Sequence, residues 1–587
     1  MSLTLAMRNA LSGLSLNQYS LAVTSNNISN ANTAGYSRKL VQQISRSANG
    51  VGSGVDIAAV TRNVDNSLLS ELRSQMAKRG FYSNQESYLN RVTDTFGVPG
   101  SANAINANIG RLASSFEAMG SRPQNAQSQL DTITDAMNMA RQINDMANST
   151  QNLRGQADSD IAASVNKINE LATRINDLNN EIVRNSGASG QQSNTDAMDQ
   201  RDQAVRELSG LIDVSTYTRA DGRMVVVVAG GYNLVADSAS TLAYNAATAV
   251  SPATTFNAIT VNGSGNITSA IRNGKMKSLI DLRDTTLQNY MAQLDTMALA
   301  LRDRVNAVHN DGTCFPAQRT LTGTQTTAAG TAFPASTGSV RIAVTDATGA
   351  IVRVIDYDLS TAPATVGGVV TAINTLLGVD GTCTLNANGQ MVIQAANAAN
   401  GIAINENNGN VGATGTGFSQ YFGLNDFFVG ADNSALKGDL ALALAVNPTL
   451  VSNPSFVSRA DLSLSATAGQ IGITPGDGSV AQRLAGVFTT NYSFSAVGGM
   501  PAMTSTIADF SASIISYNAN LTSRARSDSD ISTTTLDNLD KRISSTSGVS
   551  VDEEMSNMVQ LQNAYNASAQ VIKTVNSMFE QLERIMG

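Results

Sequence analysis

The chain has 587 residues, with 46 Asp and Glu against 38 Lys and Arg, and its net charge of −8 excludes a protein built to grip phosphate backbones. Charged residues make up 14 % of it, against about 25 % in an ordinary soluble domain, so Asn, Gln, Ser and Thr supply most of the polar surface. A single His excludes a His-rich intrachain zinc site, and two Cys exclude a cysteine-cluster metal site or a disulfide-dense scaffold.

At about 150 residues per domain the length suggests about four domains. No stretch reaches the roughly 18 apolar residues of a membrane span, and no basic segment of a cleaved leader precedes Ala6. No membrane insertion, metal or other cofactor is expected.

In chain order, Met7, Leu14, Leu21 and Ile28 recur every seven residues, with Leu3 and Ala10 in a companion column that turns polar at Asn17 and Thr24. Such a repeat packs helix on helix, here over about 26 residues or ~39 Å. Asn26, Asn27, Asn30 and Asn32, followed by Gly35, tolerate positive φ and read as the helix end and turn. Further helices are expected at 126–147, 159–185 and 197–212. Met224 to Val228, ending at Gly230-Gly231, reads as a strand and turn. A long helix is expected from Met276 to Val308, where Ile280, Leu287, Leu294, Leu301 and Val308 keep a strict heptad column.

From 319 to 430 the chain is rich in Thr, Ala, Gly and Asn. Strands at Val340–Val344 and Ile351–Ile355 flank Asp346-Ala-Thr-Gly349, a short helix covers Thr365–Leu377, and a strand at Met391–Gln394 follows the Asn388-Gly389 turn. A helix is expected around Ile507–Arg526, with a turn at Ser544–Ser550. The last helix carries an unbroken heptad column, Val551, Met558, Tyr565, Ile572, Phe579 and Met586, with Leu561, Val575 and Leu582 beside it. Ser550 and Glu553 form its capping box, and Asp552, Glu553 and Glu554 suit the positive end of the helix dipole.

The fold class is multidomain α+β, with terminal helices forming a coiled-coil or bundle region and β-rich domains in the middle. The expected division is 1–85 with 531–587, 86–212 with 431–530, 213–318, and a variable insertion at 319–430. Each terminal helix needs a partner for its stripe, since burying one Leu-sized side chain contributes about 1.5–3 kcal/mol. Periodicity leaves that partner open: the other terminus, or neighbouring chains in an assembly.

Catalytic patterns are incomplete. Gly274-Lys275 is followed by Met276, not the Ser or Thr of a phosphate loop. Gln420 stands where a dinucleotide fingerprint begun at Gly415 and Gly417 needs its last Gly. Asp528-Ser-Asp530 lacks the rest of a calcium loop. His309, at a predicted helix end, is expected to bond terminal carbonyls rather than act as a base. Cys314 and Cys383 are expected to be free buried thiols, unless the fold makes them neighbours. No enzymatic activity is expected.

Ser25-Asn-Asn-Ile-Ser-Asn-Ala-Asn-Thr-Ala-Gly-Tyr36, preceded by Ala10-Leu-Ser-Gly-Leu14, resembles the N-terminal signature of the bacterial flagellar axial family of rod, hook and hook-associated proteins, with Ala34 where that family commonly has Pro. Gly35-Tyr-Ser-Arg38 is similar to the hook-associated branch. So are Asp196-Ala-Met-Asp-Gln-Arg-Asp202, Val305 to Gly312, Phe422 to Phe428 and Gly548 to Glu554. The segment 319–417 carries no such signature.

The resemblance implies a structural protein exported by the flagellar type III apparatus to the extracellular hook–filament junction. Its terminal helices would pair into the inner tube of a helical filament. The implied subunit-packing residues are Leu3, Met7, Leu14, Leu21, Ile28, Val551, Met558, Tyr565, Ile572, Phe579 and Leu582; the signature loop is Asn26, Asn27, Asn30, Asn32, Gly35 and Tyr36. The implied partners are further copies in a ring, the flagellar hook protein, the second junction protein (hook-associated protein 3) and an export chaperone at the C-terminal helix, with no nucleic acid. The alternatives are another axial protein of hook or filament, or an axial protein with an enzymatic surface insertion.

Overall fold

The computed structural model describes residues 3–48, 50–97, 101, 104–185, 191–413, 415–430 and 440–586. Helix α1 (Leu3–Ser29) leads into a hairpin of β1 (Lys39–Ala48) and β2 (Val51–Arg62). Next comes α2 (Asn66–Phe96), capped by Asp65, whose carboxylate accepts from the N–H groups of Ser67 and Leu68. Then follow α3 (Ile105–Ser121), α4 (Ala126–Asn185) and α5 (Gln191–Leu211). An antiparallel sheet of β3 (Val214–Thr218), β4 (Met224–Val228) and β5 (Tyr232–Val235) precedes a smaller one of β6 (Leu242–Ala243), β7 (Thr260–Val261) and β8 (Gly265–Asn266). Helix α6 (Gly274–Asp281) passes through a π-helical turn, Leu282–Thr286, into α7 (Leu287–Asn310).

The next stretch folds around a core of its own. It contains β9 (Thr320–Thr326), β10 (Ser336–Thr337), β11 (Ser339–Thr345), β12 (Ile351–Asp358), α8 (Val366–Leu377), β13 (Gly381–Leu385), β14 (Gln390–Ala395), β15 (Gly401–Asn405), β16 (Asn410–Val411) and α9 (Phe418–Phe422). Sheets ordered β12-β11-β15 and β13-β14-β9 bury Ile342, Val344, Ile373, Met391, Ile393 and Phe418 between themselves and α8. The chain returns through α10 (Leu440–Ala443), α11 (Pro448–Ser452) and α12 (Ser479–Val487) to α13 (Ile507–Ser547) and α14 (Val551–Met586).

The two ends of the chain run together. Leu72 of α2 packs with Leu536 and Leu539 of α13, and Thr93 Oγ1 lies 3.1 Å from Thr522 Oγ1, so these helices are antiparallel. Beyond them α1 and α14 pair in the same sense. A Cβ at Gly13 would sit 3.5 Å from Ser568 Oγ, and Asn27 Nδ2 lies 3.1 Å from Glu554 Oε2, fourteen residues further along each helix. The hairpin lies along α1, where Val55 N donates to Ser12 Oγ at 3.2 Å. These three elements form an arm set apart from the main core, which joins α3, α4, α6, α7 and α12 to the β4–β8 sheets.

The multidomain α+β class with helical ends is as expected, but several elements differ from their predicted limits. The helices expected at 126–147 and 159–185 are one helix of 60 residues, about 90 Å long. The apparent break is polar, yet its inward face is buried. Arg154 donates from Nε to the carbonyl of Arg283 at 2.9 Å, inside the π-helical turn. Asp158 accepts from Arg283 Nη1 at 3.0 Å and Ala247 N at 2.7 Å. Helix α1 runs through Asn26 and Asn27 to Ser29, and α13 extends to Ser547. The hairpin and α2 were not anticipated as separate elements. Gly80 lets α2 cross α5 at Gly210, because a Cβ there would collide with the Gly210 carbonyl. Cys314 and Cys383 are free and buried. Among the described residues no helix is long and apolar enough to cross a membrane.

Candidate functional site

The arm joins the rest of the molecule through a polar root. At its centre is Asn27, buried in the last turn of α1. Its Nδ2 donates to the Lys39 carbonyl at 3.0 Å and to Glu554 Oε2 at 3.1 Å, while its Oδ1 accepts from Lys39 N at 3.1 Å and Tyr36 Oη at 2.9 Å. One amide thus ties together α1, the loop, β1 and α14. Asn30 Nδ2 donates to the Asn26 carbonyl at 3.0 Å, Thr33 Oγ1 donates to Asn30 Oδ1 at 3.2 Å, and Tyr36 N to Thr33 O at 3.2 Å. Gly35, at φ +81°, completes the turn in a conformation that L side chains avoid. Asn32 lines a cavity of about 300 Å³ beside the loop.

Charged groups surround this amide. Arg38 donates from Nε to Glu554 Oε1 at 2.7 Å and from Nη1 to Glu553 Oε2 at 2.9 Å. Ser37 donates from Oγ to Asp199 Oδ1 at 2.6 Å. Arg62 bridges Asp199 at 2.9 Å and Asp202 at 2.8 Å, and the fully buried Lys39 ammonium pairs with Asp196 and lies 3.9 Å from Asp199. Burial lowers the Lys39 pKa against the opposing pull of Asp199. Burial, reinforced by Asp199 and Glu554, pushes the Tyr36 phenol up to about 12, so it stays a donor.

Three sequence blocks that are hundreds of residues apart therefore meet: Asn26 to Lys39, Asp196 to Asp202, and Gly548 to Glu554. The acidic residues of α5 had been noted only as a resemblance. Their three-residue spacing places them on one helix face, where like charges need cations, but only the fold identifies those cations as Lys39 and Arg62.

The heptad residues lie along the α1–α14 pair. Leu3, Met7, Leu14, Leu21 and Ile28 are half-buried, as are Met558, Tyr565 and Ile572; Val551, Phe579 and Leu582 are exposed. Met586 belongs to the last helical turn, but its side chain lies outside the described residues. Ser550 Oγ accepts from Glu553 N at 3.4 Å at the start of α14.

A second polar cluster locks the inserted unit to the stem. His309, near the end of α7, is fully buried; its Nε2 accepts from Ser458 N at 2.8 Å, and Nδ1 lies 2.6 Å from the Asn425 carbonyl. The ring is therefore neutral with its proton on Nδ1, and burial lowers its pKa from 6.5 to about 4. Between these values the unfolded chain binds a proton that the native ring does not. The ring's contribution to stability is thus complete above pH 6.5 and is lost as pH falls towards 4. Asp426, raised to about 6 by burial, works in the opposite direction, its contribution fading as pH rises through that value. Comparison of the chain with His309→Asn isolates the ring. The stability difference is expected to shrink by about 3 kcal/mol as the pH is lowered across this window. A difference independent of pH in denaturant titrations contradicts this.

Comparison with known proteins agrees across the chain. Residues 89–325 match the family described as the flagellar hook-associated protein FlgK helical domain. Residues 7–36 match the flagella basal body rod protein family, and 542–585 the C-terminal family of the flagellar basal body rod FlgEFG proteins. Flagellar hook-associated protein 1 of Salmonella typhimurium is 25 % identical over 595 residues, covering 99 % of each chain. The Escherichia coli protein of that name is 24 % identical, again over 99 % of each. The solved structure of the flagellar hook junction protein FlgK from Burkholderia pseudomallei shares the fold, with a TM-score of 0.50 and 15 % identity over 81 % of this chain and 99 % of that one. With matches at both termini, through the helical middle and end to end, the chain is similar along its whole length to flagellar hook-associated protein 1 and to the solved FlgK fold.

Proposed function

We propose that this chain is a structural subunit of the bacterial flagellum that forms the junction between hook and filament and gives the filament its base. The observation that carries this reading is the arm. Helix α14 is 36 residues long and packs along α1, yet Val559, Val571 and Met578 remain about half exposed along it. A long helix covered on one side only has apolar surface left for neighbours.

In this reading the terminal segments 1–85 and 531–587 form an inner tube, and 86–212 with 431–530 surround it as a helical bundle. Residues 213–318 form the next, β-rich unit, and the insertion at 319–430 faces outward. Copies associate in a ring, with one face accepting hook protein and the other accepting hook-associated protein 3 ahead of the filament. The signature-loop residues Asn26, Asn27, Asn30, Asn32, Gly35 and Tyr36 set the angle of the arm, and the heptad residues supply the packing energy. Export through the flagellar type III apparatus, with a chaperone held on the C-terminal helix, delivers the chain to the extracellular end of the hook.

A deletion strain tests the reading. Bare hooks in electron micrographs, with filament protein lost to the culture medium, are the expected result. Hooks that still carry normal filaments would contradict it.

A further inference from the structure

Inside the root, Lys39 has the surroundings of a nucleophile. It is the first residue of β1, its side chain is fully buried, and its Nζ donates to Asp196 Oδ1. The ring of Tyr36 covers Nζ, with its centroid 4.3 Å away. A second carboxylate, Asp199, stands 3.9 Å from Nζ through Oδ2. The two oxygens of Asp199 are used unequally. Oδ1 accepts from Ser37 Oγ at 2.6 Å and Arg62 Nη1 at 2.9 Å, whereas Oδ2, which faces Lys39, takes a longer bond from Ser37 N at 3.3 Å.

Burial lowers the Lys39 pKa against the pull of Asp199, and the neighbouring Arg62 lowers it further. A lysine amine that has lost its hydration and lies beside a base is the form of this side chain that attacks carbonyl carbon. The other half of the pair is open on its far side, because the Asp196 side chain is 46 % exposed. Nζ is therefore kept from water while the carboxyl it touches has a path to solvent.

We propose that Lys39 and Asp196 condense into an isopeptide bond, a covalent tie between β1 and α5, with Asp199 as the base. The bond that forms joins Nζ to the Asp196 Cγ, and the bond that breaks joins Cγ to one carboxyl oxygen. Of the three ammonium protons, the first passes along the existing hydrogen bond and leaves an amine facing a carboxylic acid. As Nζ attacks Cγ, Asp199 Oδ2 takes the second and returns it to the departing hydroxyl, which leaves as water on the open side of Asp196. The third remains as the amide N–H. Nothing is oxidised or reduced, and Asp199 ends as it began. Groups held in contact react as though at about 10⁵–10⁸ M, which favours a condensation that free amines and acids do not undergo in water. The two residues are 157 positions apart, so the bond forms only after the root has folded.

Intact-mass measurement on the full chain, purified folded and then denatured, tests this. The expected mass is one water below that of the sequence, and proteolysis should release a branched peptide joining Lys39 to Asp196. Lys39→Arg and Asp196→Ala should each restore the full mass and give linear peptides at these positions. Asp199→Asn, with β1 and α5 still protected from hydrogen exchange, should form the bond about 10²-fold or more slowly; formation at the natural rate overturns its role as the base. Full mass with linear peptides from the folded natural chain overturns the bond and leaves an ordinary ion pair. A missing water that persists in Lys39→Arg also overturns it, in favour of a cyclic imide at an aspartate. The mass is read on the free chain, so the result stands apart from whether the chain assembles at the junction.

Discussion

Asn27→Leu is expected to release the arm while the rest of the molecule stays folded. Leu has about the shape of Asn but none of its four hydrogen bonds. The change leaves the Lys39 carbonyl and N–H unpaired, takes a donor from the Glu554 carboxylate, and strands the Tyr36 hydroxyl. Each unsatisfied buried group costs about 1–3 kcal/mol, but Arg38 still neutralises Glu554 at 2.7 Å. A net loss of about 3–5 kcal/mol from the arm follows. Asn27→Asp should be no milder, since it sets a carboxylate against Glu554. Hydrogen exchange reads the outcome directly. Amides of α1 and α14 should lose protection while those of α4 and α7, in the separate main core, keep theirs. Unchanged protection in α1 and α14 would show that the amide is not what holds the arm.

Ile572→Asp and Leu14→Asp should abolish incorporation into the flagellum. Both residues are half-buried on the α1–α14 pair, where a carboxylate loses hydration and the apolar contact is lost. Neither residue belongs to the core that joins α3 to α12, so the variants should be made, exported and folded through their middle. The defect is therefore expected in assembly, not in stability of the body. A variant that unfolds the body as well would mean that arm and body form one cooperative unit.

What the sequence displays depends on whether packing is apolar. The terminal helices were legible because their heptad columns are unbroken, and the strands at Val340–Val344 and Met391–Gln394 because their runs are short and bounded by turns. Helix α4 was split on paper because its middle buries Thr150, Gln151, Arg154 and Asp158, polar residues whose burial no hydropathy pattern reveals. The hairpin was hidden for another reason. Most of β1 is exposed, and register shifts at Gln42/Gln43 and Arg46/Ser47 break its alternation. At the root, the members were visible as a family signature but their partners were not. Asn27 and Glu554 are separated by 527 positions, and no local pattern announces a bond across that distance. Nothing in the sequence around Lys39 or Arg62 marks the acidic residues of α5 as their partners.

The proposal that the arm builds the junction is tested most directly by returning Ile572→Asp to a deletion strain, imaging the cells by electron microscopy and blotting the medium for the variant chain. The expected result is bare hooks with the variant chain present in the medium, exported but unable to join the structure. Hooks bearing full filaments, with the variant chain incorporated at their base, would contradict it.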